Sequence, residues 1–156
     1  MAHGVDSILA ETLEASRSLT VELCPPILHQ SGLAAALNWL GARMEEKQQF
    51  KVRLRTSNDA EPASPHAPAF LFEATREMLL NCAKHSGTRE AHLTMVRTKD
   101  DSCRIIVEDK GKGFEPSAAR PGPSGGFGLF SIQQRLLDLG GKLEIESAPG
   151  HGTKAA

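Results

Sequence analysis

The order of apolar and polar positions divides the chain into segments of helical and extended period. Val5, Leu9, Thr12, Ser16, Leu19 and Leu23 alternate spacings of four and three. That is one seam of a helix, compatible both with pairing to a second helix and with packing on its own domain. Pro25 and Pro26 end it, because proline lacks the donor a helix needs and restricts its predecessor. Ser31 is placed to cap a second helix, with Leu33, Ala36, Leu37, Leu40 and Met44 on one face. FKVRLRT then alternates Phe50, Val52 and Leu54 with Lys51, Arg53 and Arg55. This is the pattern of a half-buried strand with a basic, solvated outer face.

SNDAEPASPHAP reads as a loop on its prolines and small polar residues. AFLFEATREMLLNCAKHSG is a third helix that stops near Gly87. EAHLTMVRT and CRIIVED are two strands joined by the turn KDDS. FGLFSIQQRLLDLGG is a fourth helix with Leu129, Ile132, Leu136 and Leu139 on one face, and KLEIESA is a further strand. Two strands with no helix between them do not fit a doubly wound parallel sheet. The order predicts an α+β fold with helices over one face of a mixed sheet.

Composition removes several function classes. A chain of 156 residues predicts one domain, with length enough for an appendage. It has one Trp, no Tyr and a net charge of -1, which disfavours nucleic acid as a partner. No apolar run approaches the ~20 residues of a membrane span, and no signal-peptide layout is present. Cys24, Cys82 and Cys103 are odd in number and form no CxxC, so each reads as a small core residue in a reducing, cytoplasmic setting.

The chemistry concentrates in EDKGKGFEPSAARPGPSGGFGLF. GGKL ends in Leu143 and precedes a strand, so it is not a P-loop, and GKGFEP has Pro116 where a dinucleotide fingerprint needs glycine. Upstream, Glu77 and Asn81 are four apart and share a helix face, an oxygen pair suited to magnesium. Lys84 and His85 are placed either to meet phosphate or to complement the helix C-terminus. Asp109 at a strand end is suited to accept from the exocyclic amine of adenine. Gly111 and Gly113 leave room for a planar base, and Gly126 and Gly128 let backbone amides near phosphates at a helix start. Arg135 points either to solvent or to a neighbouring element.

Glu77 to Asn81, DKGKGF, GGFGL and the HGT at 151–153 resemble, in order, the four boxes of the histidine kinase, gyrase, Hsp90 and MutL superfamily of ATP-binding domains. TVELCPPILHQSGLAAALNWL and REMLLNCAKHSGT are most similar to sensor histidine kinases of the nitrate-sensor and lipid-fluidity-sensor type. The resemblance implies a two-layer α/β sandwich of Bergerat type at 27–156, after the end of a dimerisation stem at 1–26. It implies ATP and Mg2+, with Asp109 on the adenine amine, Asn81 on the metal, Glu77 at the reacting end, and Lys84 and His85 near phosphates. Residues from Lys112 to Gly125 would form a lid. Gly111, Gly113, Gly126, Gly128, Leu129 and Thr153 would line the pocket. A response regulator and, for the full-length protein, a homodimer are the implied partners. The stem's phosphoacceptor histidine motif is absent, and the last strand is expected to be cut short after Thr153, with Lys154, Ala155 and Ala156 following it. An ATPase, an anti-sigma-type serine kinase or a degenerate nucleotide-binding module are the alternatives.

Overall fold

A computed structural model describes Ile8 and residues 25–57, 59–116 and 127–156. The first-helix seam, Gly126 and residues 117–125 of the expected lid lie outside them. The elements are α1 (Pro26–Gln48), β1 (Lys51–Thr56), α2 (Ala67–Asn81) with a π turn (Cys82–Ser86), β2 (Glu90–Arg97), β3 (Cys103–Asp109), α3 (Phe127–Asp138), β4 (Ile145–Ser147) and β5 (Thr153–Ala155).

The strands form one mixed five-stranded sheet in the order β1-β2-β3-β5-β4. β1 and β2 are parallel, so the chain must cross over between them, and α2 is that crossover. The remaining pairs are antiparallel. β5 therefore lies inside the sheet, bonded on both sides. The edges are β1 and β4, and β4 is shorter than the KLEIESA run suggested.

Alternation in the strands separates two faces. Leu93, Met95, Ile105 and Val107 are buried with Leu33, Leu37, Leu40 and Met44 of α1 and Phe72, Met78 and Leu79 of α2. On the other face, Arg53, His92, Glu108, Lys154 and Glu146 form one cross-strand row of mostly alternating charge, joined at its margin by an Arg53–Glu90 ion pair of 2.8 Å. A polar outer face of this kind keeps the fold at two layers.

α3 packs on α2 through a smaller cluster of Phe70, Ala74 and Ile132, flanked by Leu136 and Leu143. Arg135 is tied to α2, with its guanidinium 3.2 Å from Glu73 and 4.6 Å from the Phe70 ring centroid. Leu139, expected on the buried face, is 48% exposed. It falls beyond the last helical residue, where the chain turns away through Gly140 at φ 75°.

α1 is held by a contact that crosses the chain. The helix breaks at Gly32, whose φ of +85° suits glycine. The Glu61 carboxylate accepts from the N–H groups of Leu33 at 3.0 Å and Ala34 at 2.8 Å. Glu61, not Ser31, thus satisfies the donors that the break leaves open. A Cβ on Gly32 would lie 2.8 Å from the Glu61 carboxylate. Glu61→Ala is expected to lower stability by about 1–2 kcal/mol, and Gly32→Ala by at least about 1 kcal/mol. Urea denaturation of each variant measures both.

Candidate functional site

The site is built where main-chain segments converge on the C-terminal end of β3. Asp109, its last residue, pairs with Thr153 of β5 and is 4% exposed. Beyond it the loop folds against the π turn. Lys112 N–H donates to the Ser86 carbonyl at 2.8 Å, and Gly150 N–H donates to the Lys112 carbonyl at 2.6 Å. A Cβ on Gly111 would stand 2.3 Å from the Ser86 carbonyl, and one on Gly113 2.1 Å from that of Ala148. The room freed by these missing side chains is thus filled by neighbouring backbone, which differs from the open surface for a base that the sequence suggested.

α2 supplies the opposite wall. Glu77 and Asn81 stand one turn apart, with Asn81 Nδ2 3.4 Å from Glu77 Oε1. The next residue, Cys82, donates its thiol to Asp109 Oδ2 at 3.3 Å. Gly111 N–H donates to the other oxygen, Oδ1, at 2.8 Å. The helix turn holding Asn81 and the strand end holding Asp109 are therefore in direct contact.

Gly128 brings α3 to the same place. A Cβ there would lie 2.5 Å from Glu77 Oε1, so the glycine lets the helix start approach this carboxylate. Leu129 packs against the main core. Thr153 Oγ1 lies 2.9 Å from Ser147 Oγ. Lys84 and His85 are exposed on the π turn. Glu77, Asn81, Asp109, Gly111, Gly113, Gly128 and Thr153 thus form one linked neighbourhood, Lys84 and His85 stand at its margin, and Gly126 lies outside the described residues. A shallow groove lined by Trp39, Arg43, Met44, Arg76 and Leu80 lies between α1 and α2 and shares none of these residues.

Sequence reasoning missed three contributors. Cys82 read only as core. Ser147 carried no signal, yet its hydroxyl meets Phe114 N–H at 2.9 Å and the Gly152 carbonyl at 3.0 Å. Gly152 was visible within HGT, but not its role: a Cβ there would sit 2.1 Å from the Asp109 carbonyl.

A metal at this site would find an oxygen-only donor pair in Asn81 and Glu77. Among the described residues no group of three or more His, Cys, Asp or Glu is arranged to hold an ion. That donor set does not suit a dedicated protein cage. It fits a cation that keeps several waters and shares phosphate oxygens, as Mg2+ does.

The family model for histidine kinase-, DNA gyrase B- and HSP90-like ATPases matches residues 66–156, a stretch that contains every residue of this neighbourhood. The chain belongs to that ATPase family. Among similar proteins, sensor histidine kinase ComP of Bacillus subtilis is 30% identical over 147 residues, 94% of this chain and 19% of its own length. A sensor-like histidine kinase of Chloroflexus aurantiacus is 27% identical over 154 residues, 96% of this chain and 26% of its own. The chain therefore spans about a fifth to a quarter of these curated relatives. In fold it is similar to the blue-light activated histidine kinase of Erythrobacter litoralis EL346, at TM-score 0.70 and 21% identity over 92% of this chain and 48% of that one. Full-length ShkA, solved in complex with AMPPNP, matches at TM-score 0.64 and 17% identity over 96% of this chain and 37% of that one. What the match establishes for this chain is a domain of that ATPase family, similar over most of its length to parts of sensor histidine kinases. No helix among the described residues is long and apolar enough to cross a membrane.

Burial, then the adjacent Asp109 charge, pushes the Cys82 thiol from its ordinary 9.0 up to about 12. The folded domain therefore keeps a proton that the unfolded chain releases above pH 9. Stability contributed by the neutral thiol is present below that pH and is lost as pH rises toward 12. Between pH 9 and 11, wild type is expected to lose up to about 1.4 kcal/mol per pH unit more than Cys82→Ala. Urea denaturation at pH 8, 9.5 and 10.5 checks the difference. Cys103, also raised, to about 11, is common to both chains and cancels.

Proposed function

We propose that this chain serves a two-component sensor histidine kinase, in which the γ-phosphoryl group of ATP passes to a histidine on a dimerisation helix. The observation that carries the reading is the contact between the Asn81–Cys82 turn and Asp109. Their adjacency supports reading Asp109 as the base-recognising carboxylate and Asn81 as the metal-holding amide of one nucleotide site. The family membership and the sensor-kinase relatives support ATP as the substrate.

In this reading Asp109 accepts a hydrogen bond from the adenine amine, which selects adenine over guanine. Asn81 and Glu77 present oxygens where the triphosphate turns toward the reacting end. Mg2+, when bound, would supply positive charge against the phosphates. Asn81 is its protein ligand, and Glu77 is the candidate catalytic group that orients the acceptor or takes its proton. Lys84 and His85, exposed beside the pocket, offer positive charge or donors to phosphate oxygens. Gly128 and the α3 start face the phosphates, a role expected also of Gly126, while Gly111, Gly113, Leu129 and Thr153 shape the walls. Catalysis rests on positioning and charge neutralisation, as is general for phosphoryl transfer. The partners are a second copy through the stem and a response regulator that receives the phosphoryl group. The setting is cytoplasmic.

Calorimetric titration with ATP, with and without Mg2+, tests the site. Asp109→Ala is expected to weaken ATP by about tenfold or more. Asn81→Ala is expected to remove most of the gain that Mg2+ gives wild type. Heats for Asp109→Ala equal to wild type would overturn the assignment. Radiolabelled ATP is expected to leave the isolated chain almost unlabelled.

A further inference from the structure

The carboxylate of Asp109 is held from both sides before any ligand arrives. Gly111 N–H fixes Oδ1 at 2.8 Å, and the Cys82 thiol fixes Oδ2 at 3.3 Å. The two donors come from different elements, the loop after β3 and the π turn that ends α2. Both residues are buried, Asp109 at 4% and Cys82 at 7% exposed. Bulk water therefore gives little competition for those oxygens.

A side-chain carboxylate rotates about its last torsion in a broad, roughly two-fold well. A single donor leaves that rotation loosely defined, whereas donors on both oxygens set the plane. The carboxylate still has unfilled acceptor positions, and their direction is then fixed by the protein. A thiol is well suited to this task. It packs as a small apolar group in the core, yet it offers one weak donor. Valine or alanine would fill the same place without holding the oxygen. Serine would hold it with a shorter reach.

We infer that Cys82 is a positioning residue that sets the adenine specificity of the site, by locking the Asp109 carboxylate in the orientation that receives the exocyclic amine. The inference rests on the reading of Asp109 as the base-recognising group, and it goes beyond it by assigning selectivity to a residue that never touches the nucleotide. Loss of the thiol donor weakens only the interaction that runs through Asp109. Contacts to ribose, phosphates and the ring faces are left as they were.

The test compares ATP with purine riboside triphosphate, which lacks the exocyclic amine. Both are titrated, with Mg2+, into wild type, Cys82→Ala, Cys82→Val and Cys82→Ser, each first shown to be folded by circular dichroism. Wild type is expected to prefer ATP. Cys82→Ala and Cys82→Val are expected to lower that preference about three- to tenfold, through weaker ATP binding with the analogue little changed. Cys82→Ser is expected to restore most of it. An equal loss for both nucleotides would make Cys82 a packing residue only and overturn the inference, as would an unchanged preference in both apolar variants. If Cys82→Ala does not fold, the valine and serine variants decide on the same ratios. Wild type that shows no preference for ATP would overturn the reading of Asp109 itself, and this inference with it.

Discussion

The close stacking of main chain on main chain at the end of β3 is the constraint on which the site depends. Asp109, Gly111 and Gly113 approach Gly152, Ser86 and Ala148 at separations that no added side chain would tolerate. Each such contact joins a different part of the chain: the π turn of α2, the loop after β3, and the turn leading into β5. The residue that bears the central carboxylate is thereby placed by backbone, which has few alternative conformations, and the Cys82 thiol then holds one of its oxygens. Preorganisation of this kind limits what must be ordered when a ligand binds.

Helix α2 links that arrangement to the rest of the fold. One of its faces buries Phe72, Met78 and Leu79 in the core, and its end carries Glu77, Asn81 and Cys82. The π turn widens the last stretch of the helix, a deviation often found at functional positions. Here it brings Cys82 against Asp109 and the Ser86 carbonyl against Lys112 N–H. Core packing and site geometry are thus set by the same fifteen-residue helix and the turn that follows it.

Much of this was legible from residue order. The periods of α1, α2, β1 and the β2–β3 hairpin located the elements, and the four-residue spacing of Glu77 and Asn81 gave their shared face. The contacts that determine the geometry were not legible, because they join distant residues. Glu61 caps α1 from a loop 27 and 28 positions away, and its segment looked like featureless connection. Cys82 looked like filler because the thiol's donor role needs Asp109 beside it. Gly111 and Gly113 were recognised as necessary, but only the fold shows that backbone, not an empty surface, occupies the place of their side chains. That β5 lies between β3 and β4 was not legible either, since register between strands is not written in either strand alone.

The attachment of α3 has a consequence for how strength is distributed through the domain. The helix rests on the small cluster around Phe70 and Ile132, on Leu129 against the main core and on the Arg135 clasp to Glu73, while Phe130 and Leu137 of its outer side remain about half exposed. Elements with few buried apolar contacts open at lower free energy than the sheet that anchors them. Gly128, which sits against Glu77, lies on this helix. Where α3 comes to rest thus decides how much room the Glu77 carboxylate has.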